Sequence, residues 1–292
     1  MSKVVYINGE FVPEEQAKIS VLDHGLLYGD GAFEGIRAYS GRVWKLREHI
    51  ARLYSSAHAL SFELCISQEE MVDVIRKVLR ANGLTDGYIR PVITRGFGLG
   101  LDPRICDIAN IIVMADKLSL YPKEMYEKGL EVVTVSTRVL PPQCIEPRIK
   151  SLGKYVGNIQ AKHEANRMGA GEGIMLNLQG HVAEATGDNI FLVRNGVLIT
   201  PPPYVGILEG ITRNAVMDIA KNMGIEVKEV PFTMFDLYTA DECFLTGTAA
   251  EVIPVAMADG RAIGTGKVGD MTKKLIEAFH KQTQIEGVDI NP

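Results

Sequence analysis

The sequence predicts two α+β domains joined by a connection near residues 118–130. Three observations carry this. Strand-length apolar runs in the first half are punctuated by Asn8-Gly9 and Ser40-Gly41. Two helical patterns follow, and a separate alternation of strands and helices begins near residue 131. The expected divisions are a small N-terminal domain over 1–118, a linker over 119–130 and a larger domain over 131–292.

Residues 4–7 and 11–12 flank Asn8-Gly9 as a hairpin, and residues 32–39 and 42–45 flank Ser40-Gly41 as another. Leu46, His49, Ile50, Leu53, Ala57 and Leu60 recur at helical spacing, which predicts an amphipathic helix over 46–60. Ser67 with Glu70 three residues on forms a capping box, and Gly83 marks that helix's end. Residues 88–94 and 109–114 read as strands. The stretch 119–128, with Pro122 inside, reads as the connection. Beyond it, strands are expected over 131–136, 174–178, 182–183, 190–193, 226–230 and 241–245. Helices are expected over 156–168, 211–223 and 271–282.

With 46% apolar residues and a mean hydropathy of +0.06, the 292-residue chain has the make-up of a globular protein with a sizeable core. A net charge of −5 argues against nucleic acid or an anionic membrane as partner. No apolar run approaches the roughly 18–20 residues that span a bilayer. Residues 1–20 carry no secretory pattern. Cys65, Cys106, Cys144 and Cys243 are scattered without a CxxC pair, so reduced cytoplasmic thiols are expected. The six histidines show no metal-ligand spacing, and no metal is expected.

The stretch 182–191 places Glu184 in a small-residue turn before an apolar strand. Lys150 lies about thirty residues earlier, after Ile145 and Ile149. An amine and a carboxylate on neighbouring segments suit pyridoxal 5'-phosphate (PLP). The amine forms a Schiff base and the acid keeps the pyridine nitrogen protonated. Gly210-Ile211-Thr212-Arg213 opens a helix whose free N–H groups suit an anion, or only a capped loop end. Thr246-Gly247-Thr248-Ala249-Ala250 ends a strand as an anion site or a polar turn. Residues 28–37 place glycine at alternate positions, which signals close approach of a ligand or of another backbone. Tyr88 and Arg90 share one face of a strand. His24, after Asp23, reads as a hydrogen-bonded turn residue.

Tyr28 to Arg37, Arg52 in Glu48-His49-Ile50-Ala51-Arg52-Leu53, Lys150 to Tyr155, Glu184 to Phe191, Gly210 to Arg213 and Gly247 to Glu251 occur in the order of the class IV PLP-dependent aminotransferases. The resemblance runs from about residue 4 to about 285. Phe33-Glu34-Gly35-Ile36-Arg37 with Tyr88-Ile89-Arg90-Pro91 most resembles branched-chain amino acid aminotransferases. The resemblance implies the fold of the type IV PLP enzymes. Lys150 would carry PLP as a Schiff base and move the α-proton, and Glu184 would face the pyridine nitrogen. Tyr155 would bond the 3′-oxygen. Arg52, the amides of Ile211 and Thr212, and Thr248 would hold the phosphate. Thr248, Ala249 and Tyr88 would meet the substrate carboxylate, and Tyr28, Phe33, Gly35 and Arg90 would line the side-chain pocket. The substrates would be amino acids and 2-oxo acids, the assembly a homodimer or a dimer-based oligomer, and the setting cytoplasmic.

Two departures stand out. Lys154 occupies a position where many members of the family have asparagine, and so supplies a second amine. Ala185 replaces a frequent glycine. D-amino acid and (R)-amine transaminases share the fold, as does aminodeoxychorismate lyase. The D-specific enzymes carry an arginine and a histidine two apart as a carboxylate trap. Here Arg95-Gly96 is followed by Arg104-Ile105-Cys106, without the histidine.

Overall fold

In a computed structural model, residues 2–106, 108–117 and 121–291 are described. The chain forms two compact units. The first comprises Met1–Leu118, Ile149–Lys154 and Thr283–Pro292, and the second Ser119–Arg148 and Tyr155–Gln282. The expected boundary at 118–120 lies outside the described residues. Within the expected linker is a helix, Lys123–Lys128, preceded by Pro122. Lys150, expected with the C-terminal domain, groups instead with the first unit. The reason is main-chain pairing: Phe33 N–H donates to Lys150 C=O (3.1 Å) and Leu152 N–H to Gly31 C=O (2.8 Å).

The first unit is built on an antiparallel sheet of short strands. Its order is Val288–Asp289, Arg42–Val43, Ile36–Tyr39, Gly87–Thr94, Asn110–Asp116, Val4–Ile7 and Glu10–Pro13. Gly31–Phe33 also pairs with Gly87–Thr94. The single strand expected over 32–39 is therefore two, broken at Glu34-Gly35. Both hairpin turns place their first residue at positive φ, Asn8 at 49° and Ser40 at 49°. The helices Leu46–Ala59 and Gln68–Ala81 bury Leu46, Ile50, Leu53 and Ala57 with Met71, Ile75, Val78 and Leu79 against Ile89, Ile93, Ile111 and Val113. The Ser67–Glu70 capping box is present as expected.

Gly87–Thr94 alternates: Ile89 and Ile93 enter that core, while half-buried Tyr88 and Arg90 face the other way. On a second stripe of the helix Leu46–Ala59, buried His49 and Ser56 and half-buried Arg52 recur at i, i+3 and i+7.

The second unit holds a mixed sheet. Its order is Val182–Ala185, Glu172–Leu176, Leu130–Thr134, Glu251–Ala258, Glu242–Gly247, Asn189–Arg194, Val197–Thr200 and Val227–Glu229, and Arg261–Ala262 pairs with Glu251–Ala258. Glu172–Leu176 is buried along its whole length, as a strand covered on both faces must be. The helices Tyr155–Arg167, Ile211–Asn222 and Asp270–Ile285 lie within two residues of expectation at their starts. The long strand Glu251–Ala258 was not anticipated. Among the described residues no helix is long and apolar enough to cross a membrane, and no cluster of His, Cys, Asp or Glu is arranged to hold a metal ion.

Candidate active site

In the first unit, the segment Ile149–Lys154 carries Lys150 onto the strand that ends at Phe33. Its backbone is held at both ends: Lys150 N–H donates to Ser56 Oγ (3.2 Å), and Lys150 C=O accepts from Phe33 N–H (3.1 Å). This sets Lys150 Nζ 4.9 Å from the centre of the Phe33 ring. Arg90 stacks its guanidinium on the same ring, with Cζ 4.6 Å from the centre, and Arg90 Nη2 donates to Tyr88 Oη (2.5 Å). The amine and the guanidinium thus both lie over the Phe33 ring, and the Tyr88 phenol is bonded to that guanidinium.

Two charges of the same sign near a half-buried ammonium disfavour it. Burial, then Arg52, then Arg90 push the Lys150 amine down, Glu34 and Tyr88 pull it partly back, and the result is about 8.

Glu34 and His49 escaped the reading from sequence. Glu34 is fully buried in the strand break. Arg52 grips it through Nε to Oε1 (2.6 Å) and Nη2 to Oε2 (2.8 Å), and His49 Nδ1 lies 2.8 Å from Oε2. Burial alone would raise the Glu34 carboxyl. The charge of Arg52 and the hydrogen bonds of His49 and Arg52 overcome it and hold the group at about 2. Burial likewise pushes the His49 imidazole below its ordinary value, against the pull of Glu34. A carboxylate only accepts, so neutral His49 must carry its hydrogen on Nδ1. The available signal was helical phase, since His49, Arg52 and Ser56 share one stripe.

Of the other expected residues in this unit, Gly35 faces Tyr88: a Cβ there would lie 2.3 Å from Tyr88 Oη. Tyr28 ends a short helix, His24–Tyr28, rather than opening a strand, and its hydroxyl accepts from Gly100 N–H (3.1 Å). His24 is a buried, hydrogen-bonded residue, with Nδ1 2.9 Å from Asp30 and Nε2 2.7 Å from Gly100 C=O. Lys154 is buried, and the hydrogen bond from Gly153 N–H to Gly29 C=O (3.0 Å) anchors the backbone beside it.

In the second unit, Glu184 is buried on the edge strand Val182–Ala185, and its Oε2 accepts from Leu208 N–H (2.8 Å). Asn189, also unforeseen, bonds Leu208 C=O (2.8 Å) and reaches Glu184 at 3.5 Å. Gly210 precedes the helix Ile211–Asn222, which has no side-chain cap. The amides of Ile211 and Thr212 therefore open the helix without intrahelical partners. A Cβ at Gly210 would lie 2.0 Å from Asn189 Oδ1, so any larger residue there would displace the Asn189 side chain. The helix packs against Glu242–Gly247. From these two elements the buried hydroxyls of Thr212 and Thr246 find no hydrogen-bond partner among the described residues. Two orphan hydroxyls and uncapped helix-start amides are donors of the kind an anion engages. Thr246 was passed over in favour of Thr248, which lies with Ala249 half-buried in the following turn. Tyr155 is half-buried at the start of its helix.

Residues 31–258 match the family model described as amino-transferase class IV. A putative branched-chain-amino-acid aminotransferase of Methanocaldococcus jannaschii is 54% identical over 94% of this chain and 94% of its own. The crystal structure of the Escherichia coli branched-chain amino acid aminotransferase superposes with a TM-score of 0.95 at 38% identity, covering 99% of this chain and 97% of that one. The T.th. branched-chain amino acid aminotransferase complexed with N-(5'-phosphopyridoxyl)-L-glutamate gives 0.92 at 40%, over 97% and 95%.

Two outcomes follow from this geometry. In the apo protein, labelling of Lys150 by an amine-selective reagent, followed by peptide mass spectrometry, rises with a midpoint near 8. At pH 7 about a tenth of the amine is then free, against about 1 in 3,000 for an ordinary lysine. Thr246→Val removes a hydroxyl that lacks a partner, so denaturant unfolding of the apo protein shows stability unchanged or raised by up to about 1 kcal/mol.

With 228 consecutive residues matching the family model and relatives alike over nearly their whole length, the chain belongs to the class IV aminotransferases and has the type IV fold.

Proposed function

We propose that the protein uses PLP to move the amino group of leucine, isoleucine or valine to 2-oxoglutarate in two half-reactions at one site. The observation that carries the substrate reading is the Phe33 face. Arg90 and Lys150 sit over its ring at 4.6 and 4.9 Å, and Arg90 is bonded to Tyr88. The names of the relatives support the branched-chain side, and the glutamate adduct bound by the T.th. enzyme supports the second substrate.

The residues present fit the cofactor. The orphan hydroxyls of Thr212 and Thr246, with the amides of Ile211 and Thr212, offer donors to a phosphate, and Arg52 supplies its counter-charge. Thr248 and Ala249 complete that turn toward phosphate and substrate carboxylate. Buried Glu184 offers a carboxylate to a protonated ring nitrogen, and Tyr155 a phenol to the ring oxygen. When bound, PLP supplies an aldehyde that takes up the amino group and a ring that draws electrons from the bond to the α-hydrogen.

The rest falls to the chain. Lys150 Nζ, whose amine is pushed down to about 8 and so is free in part at working pH, removes the proton from the substrate α-carbon and returns it to the cofactor side. Arg52 and Arg90, which lower its basicity, keep that amine available. Tyr88 accepts from Arg90, so its own hydrogen is left to donate to a carboxylate. Phe33 offers an apolar face to a branched side chain, Gly35 makes room for the Tyr88 hydroxyl, and Tyr28 is assigned to the same lining. Arg90 pairs with the distal carboxylate when glutamate enters. We place the enzyme in the cytoplasm and infer a homodimer as its basic assembly.

Arg90→Leu separates the two tasks. It lowers kcat/KM for glutamate and 2-oxoglutarate by about 100-fold, the loss expected for a charge-assisted pair, and that for leucine by under about fivefold. Equal losses for both substrates contradict the assignment. Comparison of L-leucine with D-alanine and (R)-1-phenylethylamine tests the stereochemical reading.

A further inference from the structure

Glu34 has no role in the chemistry above, yet it is enclosed completely and takes three hydrogen bonds. Arg52 Nε (2.6 Å) and Nη2 (2.8 Å) hold its two oxygens, and His49 Nδ1 (2.8 Å) holds Oε2. Its own backbone is pinned, because Glu34 N–H donates to Pro91 C=O (3.0 Å). An ionised carboxylate is kept out of water only where it is paired and fully hydrogen-bonded. Packing alone gives no reason for an ion here, since an apolar residue fills such a place at less cost.

The geometry supplies one. A long arginine stem samples many rotamers, and a single contact leaves the guanidinium plane free to turn. Two parallel bonds, one at Nε, fix that plane. The carboxylate that makes them is itself held at Oε2 by His49, one helical turn before Arg52 on the same helix. Neutral His49 orients Glu34 without competing for its charge, and Nε2 of its ring has no partner among the described residues. Of the five hydrogens on the guanidinium fork, the Glu34 pair uses two.

We propose that Glu34, oriented by His49, is a positioning residue that fixes the guanidinium plane of Arg52 for the cofactor phosphate. This rests on the assignment of Arg52 to that phosphate under the proposed function. Pairing with Glu34 limits the guanidinium to one orientation before the phosphate arrives, so binding loses less conformational freedom.

The test compares equilibrium binding of pyridoxal 5'-phosphate and of pyridoxal, which lacks the phosphate, to the apo protein. The ratio of the two dissociation constants isolates what the phosphate gains. Glu34→Gln and His49→Leu each weaken pyridoxal 5'-phosphate about tenfold and leave pyridoxal within about twofold. His49→Asn, whose amide N–H stands near the place of Nδ1, restores most of the ratio. Arg52→Leu removes the discrimination, and adding Glu34→Gln to it changes the ratio no further. If Glu34→Gln fails to fold, the His49 pair carries the same comparison. Equal weakening of both ligands by Glu34→Gln and His49→Leu, or no weakening of either, overturns the positioning role while leaving the proposed function standing. An unchanged ratio in Arg52→Leu overturns the phosphate assignment of Arg52, and the positioning role with it.

Discussion

Everything assigned to Lys150 depends on the main-chain pairing between the segment Ile149–Lys154 and the stretch from Gly29 to Phe33. Phe33 N–H meets Lys150 C=O, Leu152 N–H meets Gly31 C=O, and Gly153 N–H meets Gly29 C=O, with Ala32 and Ser151 bridged between them. Such pairing needs close approach. A Cβ at Gly31 would lie 2.6 Å from Leu152 Cδ1 as well as 2.5 Å from Ile93 C=O on the neighbouring strand, and one at Gly29, where φ is +71°, 2.8 Å from Gly153 Cα. The alternate glycines of this stretch therefore divide in purpose. Gly29 and Gly31 admit another backbone, and Gly35 admits the Tyr88 hydroxyl.

That pairing also sets the electrostatics. It brings the Lys150 amine within the field of Arg52 and Arg90, whose charges lower it, and of Glu34, whose charge partly offsets them. The same Glu34 is deeply acidic because Arg52 and His49 bind it. Burial, one helix face and one strand break thus hold the amine at about 8, well below an ordinary lysine at 10.5.

Much of the fold was legible because it is local. The stripe from Leu46 to Ala57, the capping box at Ser67 and the turns at Asn8-Gly9 and Ser40-Gly41 are written in spacings of two to four residues, and each appears in place. Non-local features were not. Lys150 was assigned to the C-terminal domain by its place in the chain, and only pairing with a strand more than a hundred residues away draws it into the first unit. The strand Glu251–Ala258 was hidden by Pro254, which argues against a central strand. It is tolerated because pairing with the parallel neighbour Leu130–Thr134 begins only at Val255. The site divides likewise. Arg52, Glu184 and Thr212 are candidates that motifs pointed to. Thr246 stood within a candidate anion turn but yielded the phosphate to Thr248, because its orphan hydroxyl is visible only when burial and partners are known; Glu34 was missed because a lone carboxylate beside an aromatic has no periodic signature.

The claim on which the rest turns is that Lys150, not the buried neighbour Lys154, is the amine that engages the cofactor. Borohydride reduction of the holoenzyme, followed by peptide mapping, reads this directly. The account predicts one phosphopyridoxyl label, on Lys150, in the segment that pairs with Gly31 and Phe33. A label on Lys154, with Lys150 unmodified, would contradict it.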